Sequence, residues 1–148
     1  MTKSLTKDKL ILFDTTLRDG QQTQGVDFSV QDKINIAQAL DDMGIDYIEG
    51  GWPGANPTDT KFFEKNNHFQ NAKFTAFGMT KRAGRSADND PQLRALIDSN
   101  SDSVCLVAKT WDFHVDLALG ISLDENIDAI KDSIKSVRSG GKEAMIDC

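Results

Sequence analysis

Basic residues, cysteines, histidines and long apolar runs are all scarce in this 148-residue chain, and each shortage removes a class of function. Lys and Arg number 17 against 23 Asp and Glu, a formal net charge of −6. That balance argues against a broad nucleic-acid surface and a polybasic membrane anchor, yet leaves room for a locally positive pocket that takes a small anion. No apolar run approaches the ~20 residues of a membrane span. The polar start, Met1 to Lys7, has no apolar stretch of a secretion signal behind it. Cys105 and Cys148 each sit in an apolar strand-like run without metal-type spacing, so both are expected to be buried free thiols in a reducing cytoplasm. What remains is an ordinary globular composition, 39% apolar and 27% charged, long enough for one real core.

Short apolar runs alternate with helical patterns along the chain. Leu10 to Phe13 reads as a first strand, followed by a capping box at Ser29-Val30-Gln31-Asp32. The helix it opens carries Val30, Ile34, Ala37 and Leu40 on one face and closes at Gly44. Asp46 to Glu49 is a second strand, and Asn56-Pro57 starts a second helix with Phe62 and Phe63 inward. Lys73 to Phe77 is a third strand, and Asp90-Pro91 opens a helix burying Leu93, Leu96 and Ile97. Ser103 to Ala108 forms a fourth strand. A second capping box at Ser122 to Glu125 opens a helix with a stripe of Ile127, Ile130, Ile134 and Val137, ended by Gly140-Gly141. Glu143 to Cys148 begins a fifth strand.

Strands apolar on both faces, each followed by an amphipathic helix, predict a parallel sheet under helical cover. Two architectures fit: a complete doubly wound binding domain, or part of a (β/α)8 barrel. A whole barrel needs about 250 residues, and four and a half units fill this chain, so the expectation is α/β, the N-terminal half of a barrel. The boundaries expected are a tail over residues 1–8 and a truncated barrel domain over 9–148.

In such folds chemistry collects where strands end. Polar residues gather there: Asp14 to Gln22 after the first strand, Glu49 to Gly54 after the second, Gly78, Thr80, Lys81 and Arg82 after the third, and Lys109, Thr110 and His114 after the fourth. Arg18 offers a rigid fork of donors for a carboxylate or a developing oxyanion. Asp19 offers hard oxygen ligands for Mg²⁺ or Mn²⁺. Together they suit a 2-oxo acid whose ketone is to be polarised, although the same pair also makes a loop salt bridge. Glu49 ends an otherwise apolar strand and is expected to point into the barrel mouth, or else to pair with an arginine. Gly50-Gly51 allows either close approach of a ligand or only a tight connection. His68, among Lys65, Asn66, Asn67 and Gln70, reads as a solvated helix end with no role. His114 is a proton carrier or an ordinary loop histidine.

Read together, Asp14-Thr15-Thr16-Leu17-Arg18-Asp19-Gly20-x-Gln22 and Ile48-Glu49 resemble the signature of the metal-dependent aldol-condensing barrel family. That family includes the isopropylmalate, homocitrate and citramalate synthases and hydroxymethylglutaryl-CoA lyase. The resemblance runs from about Lys9 to Cys148. Within it, Glu49 to Pro57, Ala76 to Arg82 and Lys109 to Val115 are most similar to the citramalate synthase branch, with the isopropylmalate synthases as the alternative. The resemblance implies an acyltransferase that condenses acetyl-CoA with pyruvate to citramalate and CoA, in isoleucine biosynthesis. It also implies a divalent metal and, in full-length relatives, a homodimer. Asp19 would ligate the metal, and Arg18 would hold the keto oxygen. Glu49 would support the metal-bound water, and Gln22, Gly78, Thr80 and His114 would contact or shape the substrate.

The family takes two further metal ligands from a His-x-His pair on a late strand, and neither His68 nor His114 has that spacing. The expectation is therefore that the 148-residue polypeptide alone neither binds metal well nor turns over. Thiol release from acetyl-CoA, dependent on pyruvate and catalysed by the purified chain, would overturn it.

Overall fold

The computed structural model describes residues 9–65 and 67–148; the expected tail over residues 1–8 lies outside them. Five strands alternate with helices: β1 (Phe13–Asp14), α1 (Val30–Asp42), β2 (Tyr47–Gly51), α2 (Pro57–Glu64), β3 (Lys73–Met79), α3 (Pro91–Ile97), β4 (Ser103–Val107), α4 (Asp112–His114), α5 (Leu123–Ser139) and β5 (Glu143–Asp147). A π-helical turn, Val115–Leu119, extends α4. Every helix start foreseen from a capping residue is present. Ser29 and Ser122 form reciprocal boxes with Asp32 and Glu125, and Asn56 and Asp90 cap α2 and α3 ahead of Pro57 and Pro91.

The first strand is shorter than expected. Leu10, Ile11 and Leu12 are exposed and lie outside it, because β1 stands at the sheet edge with one neighbour. The helix stripes are also rotated from the sequence pattern. In α1 the fully buried face is Lys33, Ala37 and Asp41, with Val30, Ile34 and Leu40 only partly covered. In α5 it is Asn126, Ala129, Ser133 and Val137, while Ile127 is exposed. The cause is local: small and hydrogen-bonding side chains sit where each helix meets the loops leaving the strands, and the larger isoleucines flank that contact.

All five strands are parallel, in the order β1-β2-β3-β4-β5. Right-handed crossovers that always step the same way put every helix on one face of the sheet. A doubly wound domain needs the order to reverse, so the alternative of a small doubly wound binding domain is ruled out. The sheet is half of a barrel wall, with helices outside and a concave face within. Ile48, Phe74, Ala76, Val104 and Leu106 pack outward into the core with Phe62, Phe63, Leu93 and Leu96. Alternation then turns Glu49, Thr75, Phe77, Ser103 and Cys105 inward. Ser103 and Thr75 join hydroxyls at 2.7 Å across that face.

At the end of β2 the register slips between Glu49 and Gly51. This bulge keeps Glu49 inward while the next two residues turn toward the helices. Both must be glycine. A Cβ on Gly50 would stand 2.3 Å from the Phe74 ring, and Gly51 has φ +136° with the Asp59 carboxylate 2.5 Å from where its Cβ would be. Of the two uses foreseen for Gly50-Gly51, the structure shows internal close packing. Among the described residues no helix is long and apolar enough to cross a membrane.

Because Phe74 is locked between Phe62, Phe63 and Phe69, Gly50→Ala has no space to relax into. Chemical denaturation of that variant is expected to show a loss of about 1–3 kcal/mol.

Candidate active site

The peptide leaving β1 winds into a tight turn in which the N–H groups of Arg18, Asp19 and Gly20 all converge on the Thr15 carbonyl. That turn throws the Arg18 side chain over the concave face. Its Nε donates to Glu49 Oε2 at 2.7 Å and its Nη1 to Asp19 Oδ1 at 3.1 Å. The guanidinium lies 4.0 Å above the Phe77 ring, and Trp52 meets the same ring edge-on. Glu49 is 1% exposed and Asp19 65% exposed, so Arg18 bridges a buried carboxylate and an open one. The loop salt bridge read into Arg18 and Asp19 is formed, and its loop sits at the strand ends. Glu49 is likewise both inward-facing and arginine-paired.

Burial pushes the Glu49 carboxyl above its ordinary range, Arg18 opposes that push, and the charges of Asp147 and Asp19 add to it. Cys105, beside Phe77 on the concave face, is raised to about 12 by burial and by the charges of Glu49 and Asp147, with Arg18 opposing. This settles which way Cys105 points and leaves its thiol protonated and inert. Cys148, expected to be buried, is exposed because β5 is the second sheet edge.

Among the described residues, two of the five guanidinium N–H donors of Arg18 are engaged by protein acceptors. Asp19 is an open carboxylate, in contrast to Glu49. Among the described residues no three His, Cys, Asp or Glu side chains gather into a metal-holding cluster. Asp19 presents an open carboxylate, and the described residues gather no complete metal site.

The other expected site residues are placed less centrally. Gln22 is exposed on the 3-10 turn Gly20–Gln22, directly after Asp19. Gly78 lies within β3 with its missing Cβ directed at Leu96 of α3, 2.4 Å away, so it packs a helix and does not line the concave face. Thr80 follows β3, half-buried. His114 is exposed, its ring 4.6 Å from Trp111, with no hydrogen bond to Arg18, Asp19 or Glu49. His68 is exposed after α2.

Sequence reading missed Lys33, Asp59, Phe77 and Asp147. The alternation Glu143-x-Met145-x-Asp147 could have marked Asp147 as inward. Lys33 adjoins Ile34 of the apolar stripe, and a lysine on a helix ordinarily keeps its charge in water.

A family model described as HMGL-like matches residues 9–148, and the chain belongs to that family. It is 47% identical over 144 residues to the (R)-citramalate synthase of Streptomyces coelicolor, and 49% over 138 residues to that of Geobacter sulfurreducens. The 2-isopropylmalate synthase of Listeria innocua is more distant, at 38% over 132 residues. These alignments cover 95%, 92% and 88% of this chain but 27%, 26% and 25% of the relatives, so the chain spans about a quarter of their length. A crystal structure of hydroxymethylglutaryl-CoA lyase from Pseudomonas aeruginosa superposes with a TM-score of 0.70 at 19% identity, over 93% of this chain and 45% of that one. The half-barrel is therefore the fold of those barrels.

Among the described residues, Arg18 lowers the Glu49 titration, through a hydrogen bond and through its charge. In Arg18→Gln the burial effect is unopposed, and the Glu49 carboxyl carbon is expected to titrate at higher pH by NMR. An unchanged or lowered midpoint would break the assignment.

Proposed function

We propose that this chain contributes the Arg18–Asp19–Glu49 side of a citramalate synthase active site. The reaction is a Claisen condensation of acetyl-CoA with pyruvate, giving (R)-citramalate and CoA. The methyl group of the thioester loses a proton, the resulting carbanion attacks the ketone carbon, and hydrolysis of the thioester releases CoA. The single observation that carries the reading is a half-buried guanidinium held by a buried carboxylate and an open one at the strand ends. The higher identity to (R)-citramalate synthases than to 2-isopropylmalate synthases favours pyruvate over the bulkier 2-oxoisovalerate.

In this reading the free N–H groups of Arg18 bind the keto acid and stabilise the alkoxide as it develops. Glu49, tied to Arg18 Nε at 2.7 Å, fixes the fork's direction. Asp19, at the open edge, is one carboxylate ligand for a divalent cation such as Mg²⁺ or Mn²⁺. Such a cation, when bound, would polarise the ketone as a Lewis acid. Gln22 and Thr80 reach the substrate from the neighbouring loops, and His114 from the turn after β4. Gly78 serves the pocket indirectly, by seating α3 close behind β3. The remaining ligands come from outside the described residues. The setting is isoleucine biosynthesis in the cytoplasm, in a homodimer.

A chimaera tests this: the chain replaces the aligned segment of the Streptomyces coelicolor relative. Thiol release is expected with pyruvate well above 2-oxoisovalerate, and to fall by about 100-fold or more in Arg18→Gln, the scale of losing a stabilising donor. Preference for 2-oxoisovalerate, or full activity of Arg18→Gln, would refute it.

A further inference from the structure

Lys33 is among the largest fully buried side chains of the described residues, at 0% exposure, and it carries a charge. It projects from α1 beneath the strand ends and spends all three N–H donors there. Nζ donates to the Leu17 carbonyl at 2.9 Å, to the Gly50 carbonyl at 3.0 Å and to Asp59 Oδ1. Leu17 is the residue before Arg18, and Gly50 is the residue after Glu49. Asp59 in turn accepts from the backbone N–H of Trp52 at 2.8 Å and from Asn56 Nδ2 at 2.9 Å. One ammonium therefore fixes the backbone on both sides of the ion pair, on two loops that share no backbone hydrogen bond beyond the short β1–β2 ladder.

Three facts separate this from ordinary core packing. The two carbonyls belong to the residues flanking Arg18 and Glu49. The Gly50 carbonyl that Lys33 holds lies at the bulge, where the register slips between Glu49 and Gly51. Finally, the Asp59 carboxylate would be crowded by any side chain at Gly51, so the loop geometry and the charge pair require each other.

We infer that Lys33 is a positioning residue: it sets the distance and direction of the Arg18–Glu49 hydrogen bond from behind the site, without touching substrate. This rests on the reading of Arg18 and Glu49 as site residues, but its test involves no substrate and can fail or succeed independently of the activity.

The probe is solvent exchange of the Arg18 Nε–H, followed by ¹⁵N NMR on the 148-residue chain. Wild type is expected to protect this proton through its bond to Glu49. Lys33→Met, which keeps the length and removes the charge and donors, is expected to speed exchange by at least about tenfold, the scale of one lost hydrogen bond. Lys33→Gln, which keeps two N–H donors, is expected to recover part of the protection. Lys142 provides the control. It is also partly buried and holds two carbonyls, Ser99 at 2.7 Å and Ser101, but at the other end of the sheet. Lys142→Met is expected to lower the Tm yet leave Arg18 exchange within about twofold. If Lys33→Met does not fold, Asp59→Asn takes its place with the same tenfold expectation. Unchanged Arg18 protection in the folded Lys33 or Asp59 variant, or equal loss in Lys142→Met, overturns the inference.

Discussion

Burying an ammonium costs several kcal/mol unless every N–H finds an acceptor, and the penalty is offset best when one acceptor is itself charged. Lys33 meets that condition only in the assembled fold, because Leu17, Gly50 and Asp59 arrive from the β1 exit loop, the end of β2 and helix α2. Burial pulls its titration below the usual lysine range, against the pull of Asp59. A charge in such a place leaves little freedom: if either loop moves, a donor loses its partner. The order of the strand-end region follows from that constraint.

The same device recurs around the sheet. Asp90 caps α3 and also accepts from the Arg82 N–H after β3. Ser133 of α5 accepts from the Lys81 N–H, and Asn126 donates to the Lys109 carbonyl after β4. Helices thus contribute polar side chains at the depth where an apolar stripe would be expected, because loops leaving parallel strands carry backbone groups that need partners. At the opposite end Asp41 accepts from the N–H groups of Gln70, Asn71 and Ala72, and Asp102 from Phe74. Pinned at both ends, the strands hold the concave face rigid, which a site built from several strand ends requires.

On that face the charges are unequal by design of position. Glu49 is buried and Asp19 open, with Arg18 between them, so one carboxylate orients the guanidinium while the other stays available to a ligand. Phe77 below and Trp52 beside it keep water from one side of the fork. The resulting asymmetry leaves a guanidinium at the mouth tethered to a buried carboxylate.

Much of this was legible in the residues themselves. Capping boxes at Ser29 and Ser122, and Asn-Pro and Asp-Pro starts, fixed where helices begin, since caps act over three residues. A carboxylate at the end of an otherwise apolar strand put Glu49 inward, and the Arg18-Asp19 motif marked the strand-end loop. Both a doubly wound sheet and a barrel wall use the same βα units; four and a half units in a chain too short for a whole barrel pointed to the half-barrel, and the unreversed strand order bears that out. Chain order could not show that Gly50-Gly51 serve Phe74 and Asp59, that Gly78 faces α3, or that Lys33 is buried. Local signals determine elements and their ends. Which polar group satisfies which, across 17 to 31 residues of chain, is settled only when the elements pack and water leaves.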